Sequence, residues 1–136
     1  MIYVVPYTLL KASYLCSEGS ETLDSSGIRH GLSEDDLKAI AKLFLQSIAI
    51  DEDWYRTKYP DVADAIDEGV FRSARHHFVE SGYFEGRLPG ELGVDETWYA
   101  QCYPDVVAGV EDGLFSSLTQ HFREHGYREG RRPFPF

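Results

Sequence analysis

The sequence predicts a mainly α-helical protein: a tandem pair of small helical repeats preceded by one amphipathic helix and a short β-prone N-terminal arm. Three observations predict this fold class. A segment of about 40 residues occurs twice without gaps, apolar residues within each copy fall at helical spacing, and Ser, Asp, Pro and Gly stand where helices begin and end. The copies are expected to pack as one domain, because one unit alone buries too little apolar surface.

The repeats occupy residues 50–89 and 94–133. Trp54 corresponds to Trp98, and every other position aligns by the same shift. About half of the aligned residues are identical, which is far above chance for a window of this length. The shared positions therefore indicate what the unit requires.

The charge and cysteine content disfavour several classes of function. The formal net charge of −10 argues against a nucleic-acid backbone or an anionic membrane surface as the partner. Cys16 and Cys102 form no disulfide framework and are expected as free thiols in a reducing compartment. The apolar N-terminus lacks a basic leader region and is too short to span a bilayer, so a cytoplasmic location without membrane insertion is expected.

Residues 1–32 are predicted to form the N-terminal arm, with a β-prone start at residues 2–5 and 7–14 and a polar stretch at residues 17–26. A lone strand must find partners for its backbone groups. Two alternatives are open: the arm pairs with another chain and makes a homo-oligomer, or it clips across the surface of its own domain.

A helix is predicted within residues 33–49, from about residue 34 to residue 48. Ser33 is a capping residue, and Asp36 completes a weak capping box. The apolar residues of this helix share one face that is expected to pack on the first repeat. They are Leu37, Ile40, Ala41, Phe44 and Ile48.

Each repeat is predicted to contain two helical pieces. In the first piece an Asp caps the start, a Pro begins a new turn and a Gly ends it. These pairs are Asp51 and Asp95, Pro60 and Pro104, and Gly69 and Gly113. The second piece starts at Ser73 or Ser117, and Ser117 with Gln120 forms a capping-box pair.

The end of the second piece is predicted to be a Schellman motif. Gly82 and its counterpart Gly126 stand where a left-handed residue belongs. Phe78 and Tyr83 then make the hydrophobic contact that accompanies such an ending, and both residues are kept in the second copy.

The strongest motif is a set of aromatic residues around Tyr-Pro-Asp-Val. The candidate binding residues are Trp54, Tyr55, Tyr59, Trp98, Tyr99 and Tyr103. If exposed, these rings suit stacking on a sugar or a proline-rich peptide. If buried, they are the core of a unit too small to have another, and this interpretation is favoured.

Charged and titratable residues are also kept in both copies. Asp61 with Arg87, and Asp105 with Arg131, are predicted to form a bidentate ion pair that fixes the turn geometry. His77 and His121 lie on an apolar face, where a hydrogen-bonded core residue is favoured over a metal ligand. His125, four residues after His121, completes only a zinc half-site, so no metal is predicted.

The string Asp-Glu-x-Trp-Tyr-x3-Tyr-Pro-Asp-Val, followed by His-Phe-x-Glu-x-Gly-Tyr-x-Glu-Gly-Arg-x-Pro, resembles a repeat of bacterial surface-polysaccharide proteins. Similar modules stand beside glycosyltransferase domains and in some large secreted calcium-binding proteins. The resemblance covers both repeats and implies a small helical module that accompanies catalytic domains. It implies no catalytic residue.

The favoured function is therefore a non-enzymatic protein-interaction or scaffolding module, accessory to bacterial polysaccharide biosynthesis. No nucleophile elbow, phosphate-binding glycine loop or metal-binding hydrolase motif is found in the sequence, and no cofactor is implied. Two alternatives stay open. One is a glycan-binding module that uses exposed Trp and Tyr, and the other is an enzyme whose site has no recognised motif.

Overall fold

The computed structural model describes residues 3–15 and 33–135, and within them the chain is mainly α-helical and contains no β-strand. The elements are α1 (Tyr7–Leu15), α2 (Glu34–Leu45), α3 (Glu52–Lys58), α4 (Pro60–Asp67), α5 (Ala74–His77) continued by a π-helical turn (Phe78–Gly82), α6 (Glu96–Cys102), α7 (Pro104–Glu111), and α8 (Leu118–His121) continued by a π-helical turn (Phe122–Gly126). The predicted mainly α fold is confirmed.

The N-terminal arm differs from the prediction, because the segment predicted to be β-prone forms the helix α1. Tyr7 in its first turn packs edge-on against Phe84, with ring centroids 4.9 Å apart, and also against Tyr83. These tertiary contacts outweigh the strand propensity of the local residues. The rest of the predicted arm, including the polar stretch and Cys16, lies outside the described residues.

Residues 3–6 precede α1 and run across both repeats. The Tyr83 hydroxyl donates a hydrogen bond to the carbonyl of Val5 (2.8 Å), and the equivalent Tyr127 hydroxyl donates to the carbonyl of Val4 (2.9 Å). The equivalent tyrosines of the two repeats thus bind neighbouring carbonyl groups of the same segment. Residues 3–6 therefore clip across both repeats of their own chain, and the Val4 and Val5 carbonyls are engaged within the chain.

Helix α2 begins as predicted, with Ser33 and Asp36 forming a reciprocal capping box. Its buried face is rotated from the predicted one. Leu45 is buried, whereas Phe44 is 72% exposed and Ile40 is 37% exposed. The buried stripe consists of Leu37, Ala41 and Leu45. Helix α2 packs on the first π-helical turn, and the covered row follows i, i+4, i+8 spacing.

The predicted caps of the repeats are present. The Asp51 and Asp95 carboxylates each accept a hydrogen bond from the backbone N–H three residues later. The Ser73 and Ser117 hydroxyls cap the second helix of each repeat with the same spacing. Only half of the predicted Ser117–Gln120 box is present: Ser117 Oγ accepts from the Gln120 N–H, but Gln120 Oε1 accepts from the N–H of Ser116 instead of Ser117. Pro60 and Pro104 are the first helical residues of α4 and α7, as predicted, and the tyrosine before each proline is the N-cap.

Gly82 does not adopt the predicted left-handed conformation. The left-handed glycine is Gly86, with φ of 75°, and the Schellman bonds run from Arg87 N–H to the Gly82 carbonyl (2.8 Å) and from Gly86 N–H to the Tyr83 carbonyl (3.1 Å). The second copy ends in the same way at Gly130, not at Gly126. The predicted ring contact between Phe78 and Tyr83 is nevertheless confirmed, with centroids 6.1 Å apart.

Gly82 is required for another reason, which is space. A Cβ at this position would overlap the Tyr55 hydroxyl and approach His77 Nδ1 to 3.0 Å. Gly126 faces the equivalent Tyr99 hydroxyl in the second copy. Each glycine therefore makes room for a buried Tyr–His pair.

The core has two clusters, one in each repeat. Helices α1 and α2 complete the first cluster with Tyr7, Leu37, Ala41 and Leu45. Trp54 packs against both clusters, so its indole joins the two repeats.

Replacing Gly82 with alanine is expected to destabilise the protein by about 1–3 kcal/mol, because the added methyl group must displace the Tyr55 hydroxyl. In an ordinary helix a change from glycine to alanine stabilises by roughly 0.5–1 kcal/mol. A loss of stability here would therefore identify the steric overlap. Urea unfolding followed by circular dichroism measures the change. Gly93→Ala is the control, because an added Cβ there meets nothing within 4 Å. An equal cost of Gly82→Ala in a Tyr55→Phe background would exclude the hydroxyl as the cause.

Candidate functional site

The six aromatic candidates do not form a continuous solvent-facing strip. Tyr55 and Tyr99 have no exposed surface. Tyr59 and Tyr103 are half-buried, and their hydroxyls accept hydrogen bonds from backbone N–H groups at 3.0 Å. The structure thus places most of this motif inside the repeats, as the favoured interpretation predicts.

The two tryptophans have different surroundings. Trp54 is half-buried between the core clusters of the two repeats. Trp98 is also half-buried, but a guanidinium covers it: Arg132 Cζ lies 5.5 Å from the centre of its ring. Where repeat 1 uses its indole to join repeat 2, repeat 2 covers the equivalent indole with a charged side chain.

The candidate histidines are buried partners of the buried tyrosines. His77 Nδ1 lies 3.0 Å from the Tyr55 hydroxyl, and His121 Nδ1 lies 3.2 Å from the Tyr99 hydroxyl. Burial lowers the pKa of both imidazoles and raises the pKa of both phenols. Both histidines are only 4% exposed, so the neutral pairs bond α3 to α5 and α6 to α8 and are closed to a substrate.

The His121–His125 pair does not develop into a metal site. The ring centroids are 5.8 Å apart, and Phe115 packs against both imidazoles. Glu129 Oε2 lies 3.9 Å from His121 Nε2. Across residues 3–15 and 33–135, no group of three or more His, Cys, Asp or Glu side chains has an arrangement that could hold a metal ion.

The predicted ion pair between Asp61 and Arg87 is present and bidentate. Arg87 Nη1 and Nη2 donate to the two carboxylate oxygens at 3.1 and 2.7 Å, and Nε donates to Glu85 at 2.7 Å. The guanidinium also lies over the Tyr59 ring, 4.8 Å from its centre. Arg87 holds the pKa of Asp61 below its usual value.

The second copy repeats this arrangement at Asp105, Arg131, Glu129 and Tyr103. Each guanidinium nitrogen donates to a carboxylate of its own repeat. The arrangement thus fixes the turn, since the arginine is engaged on three sides.

Two structural contacts, each made in both repeats, were missed by the sequence analysis. The Glu52 carboxylate accepts from the N–H groups of Ala74 and Arg75, and thereby satisfies the start of α5. Glu96 does the same for Thr119 in the second copy. The identical placement of Glu in both repeats was the available signal. Tyr83 and Tyr127 also escaped as partners of the arm, because no local pattern specifies a bond across such a distance in the chain.

A groove of about 630 Å³ lies at the joint between the repeats, and we call it the joint groove. It is lined by Val4, Ala49, Ile50, Asp51, Leu88, Pro89, Gly90, Glu91 and Leu92. Most of its surface is apolar. Asp51 caps α3, and Glu91 pairs with Arg123 at 2.7 Å, so both acids already have partners within the chain.

Comparison of the chain with family models, with characterised proteins and with solved structures yields no match. The resemblance to polysaccharide-associated repeats therefore stays a prediction from the motif. None of the helices in the described part of the chain is long and apolar enough to cross a bilayer.

The free energy of unfolding is expected to fall as pH drops below about 6.5, the ordinary histidine value. His77 and His121 have lowered pKa values in the folded state, so the unfolded state binds more protons in the window between the folded and unfolded values. Above this window the two histidines make their full contribution to the free energy of unfolding. Each histidine contributes a slope of at most about 1.4 kcal/mol per pH unit. The charged or titratable groups around them are Asp61, His76, Glu85, Arg87, Asp105, His125, Glu129 and Arg131.

Urea unfolding at a series of pH values from about 5 to 7.5 checks this expectation. His77→Gln and His121→Gln should each reduce the slope, because glutamine does not titrate. His125→Gln is the comparison variant: His125 is exposed and acts only through its charge beside His121, so it should change the slope less than either core variant. An unchanged slope in both core variants would contradict the assignment.

Reversing both charges of the Asp61–Arg87 pair should restore stability that either single reversal removes. Each single change places like charges together, whereas Asp61→Arg with Arg87→Asp restores attraction. We expect a coupling free energy of about 1 kcal/mol at low salt, reduced at high salt. A thermodynamic cycle from urea unfolding measures it. The Arg56–Asp67 pair, with one contact of 2.6 Å, is the control and should couple less. Equal damage from single and double reversals would argue against the bridge.

Proposed function

We propose that this protein is a non-enzymatic interaction or scaffolding module that serves a bacterial polysaccharide-assembly system. One observation carries the proposal. The side chains kept in both copies are engaged in caps, ion pairs and the core, while the joint groove between the copies stays open. An open apolar groove at a joint between units is a common place for a partner to bind.

The arrangement of titratable groups supports a non-enzymatic role. The most strongly perturbed phenols, on Tyr55, Tyr99 and Tyr127, are buried in the core. The two acids of the joint groove each have an internal partner. A catalytic site requires a perturbed group that opens into a pocket, and these groups do not meet that requirement.

The joint groove favours an apolar, extended segment of a protein partner. Its walls are aliphatic at Val4, Ile50 and Leu92, and Pro89 and Gly90 form part of the same lining. The motif resemblance suggests the class of partner, which is an enzyme of glycan assembly that lies beside such modules.

Affinity capture from the source organism, quantified by mass spectrometry, tests the proposal with two matched variants. Ala49→Arg places a long side chain at the exposed rim of the groove, and Ala108→Arg makes the same change at an exposed position of α7. We expect a polysaccharide-assembly protein to be captured by wild type and by Ala108→Arg and to be lost with Ala49→Arg. Capture that is equal in both variants, or that is absent, would refute the groove as the docking site.

The glycan-binding alternative gives a different outcome. Trp98, near the start of repeat 2, is half-buried beside Arg132. Calorimetric titration with purified surface polysaccharide, in parallel with the capture, would then show binding that Ala49→Arg does not affect. That result would replace the interaction module by a glycan-binding one.

A further inference from the structure

Two of the exposed apolar side chains are equivalent residues of the two repeats. Val70 is 62% exposed and Leu114 is 73% exposed. The other large apolar side chains that are exposed among the described residues belong to the arm, α1 and α2, where several line a second apolar groove of about 250 Å³. That feature occurs once, whereas residues 67–71 and 111–115 form the same exposed turn twice. We call these two segments the helix-end turns.

The way in which each helix ends does not explain the exposed apolar residue. Gly69 and Gly113 end α4 and α7 in Schellman motifs, with φ of 78° and 76°. The residue after such a glycine is often apolar, because it packs on the side chain four residues before the glycine. In repeat 2 that residue is Gly109, which has no side chain, and in repeat 1 Val70 stays mostly exposed. The motif thus requires the glycine but leaves the next side chain without an internal role.

The residue after each exposed side chain anchors the turn. Phe71 packs edge-on against the buried His77, with ring centroids 4.7 Å apart, and Phe115 packs in the same way on His121 at 4.7 Å. The backbone of Val70 is therefore fixed between a helix end and a ring that contacts the core. A partner that covers this side chain has little backbone entropy to remove, which favours binding.

An exposed carboxylate stands before each glycine, at a helix end where an acid is unfavourable. Glu68 and Asp112 are the C-cap residues of α4 and α7, and neither helix has a basic residue in its last turn. The carbonyl groups at a helix C-terminus carry partial negative charge and repel a carboxylate. Within residues 3–15 and 33–135, neither carboxylate forms an ion pair. Both repeats thus keep a carboxylate that does not stabilise its own helix.

The residue identities differ between the two helix-end turns, but their chemical classes agree. Repeat 1 reads Asp-Glu-Gly-Val-Phe, and repeat 2 reads Glu-Asp-Gly-Leu-Phe. An exposed carboxylate beside an exposed apolar side chain is complementary to a basic side chain beside an apolar one. The partial negative charge of the helix end adds to the attraction for a cation. The net charge of −10 also attracts a basic segment and repels an acidic one, including a second copy of this chain.

We propose that each helix-end turn binds a short segment of a protein partner in which Lys or Arg stands beside Leu, Ile or Phe. Glu68 and Val70 form one site, and Asp112 and Leu114 form the other. The chain therefore has two equivalent sites, one in each repeat. They give the proposed interaction module a second kind of contact, which does not depend on the joint groove.

Selection from a random peptide library, followed by calorimetric titration of the full chain with a selected peptide, tests this proposal. The selection uses the Ala49→Arg chain, so that the joint groove is blocked. We expect the selected peptides to contain Lys or Arg beside an apolar residue and to bind the wild-type chain with a stoichiometry of two. Val70→Ser or Leu114→Ser should each reduce the stoichiometry to one, and the double variant should not bind. Leu43→Ser is the matched control, because Leu43 is 75% exposed on α2, and it should leave the stoichiometry at two.

The carboxylates provide a second readout. Changing Glu68→Gln together with Asp112→Asn should weaken binding at least about threefold. Asp64→Asn, which removes an exposed carboxylate of α4 away from the turn, should weaken it less. Raising the salt from about 0.05 to 0.5 M should also weaken binding, because salt screens the attraction. Circular dichroism melting should show no loss of stability in the Glu68 and Asp112 variants, and a loss would assign these carboxylates a structural role instead.

Three results would overturn the proposal. The first is a selection that yields no peptide, or only peptides without a basic residue. The second is a stoichiometry that Val70→Ser and Leu114→Ser leave unchanged. The third is an equal effect of Leu43→Ser. Since the selection is made with the joint groove blocked, failure at the helix-end turns is distinguishable from failure of partner capture by that groove.

Discussion

The buried Tyr–His hydrogen bond is the constraint on which each repeat depends. It joins the first and second helices of the unit through Tyr55 and His77 inside an aromatic core. Burying a hydroxyl and an imidazole is costly unless they satisfy each other, so the pair fixes how the two helices are placed. The space that it occupies explains why Gly82 has no side chain. The equivalent set in the second copy follows the same geometry.

Differences between the copies follow from what covers each of them. Val79 is buried beneath α2, whereas the equivalent Arg123 is only partly buried and pairs with Glu91. Leu88 is buried in the second cluster, whereas the equivalent Arg132 is exposed beside Trp98. At these two positions an apolar residue occurs where a neighbouring element covers it, and a charged residue occurs where none does. A difference between the repeats at such a position is therefore explained by the neighbouring elements, without a ligand.

The non-repeated elements give the molecule its asymmetry. The arm uses one tyrosine from each repeat, so a single short segment contacts both units. It also separates two apolar grooves, since Val4 lines both. Surfaces open to partners arise at the boundaries between elements, because the interior of each repeat is already filled by its own aromatic residues.

The sequence by itself determined the Asp and Ser caps and the Asp61–Arg87 pair, because these depend on local hydrogen bonds or on residues kept as a pair in both copies. It also favoured a buried role for the aromatic motif. Only the tertiary structure decided that the arm turns into α1, that Phe44 faces solvent while Leu45 is buried, and that Gly82 is needed for space. Each of these features depends on atoms from distant parts of the chain that only the fold brings together. A local sequence pattern does not specify which of two adjacent apolar residues, such as Phe44 and Leu45, a distant element will cover.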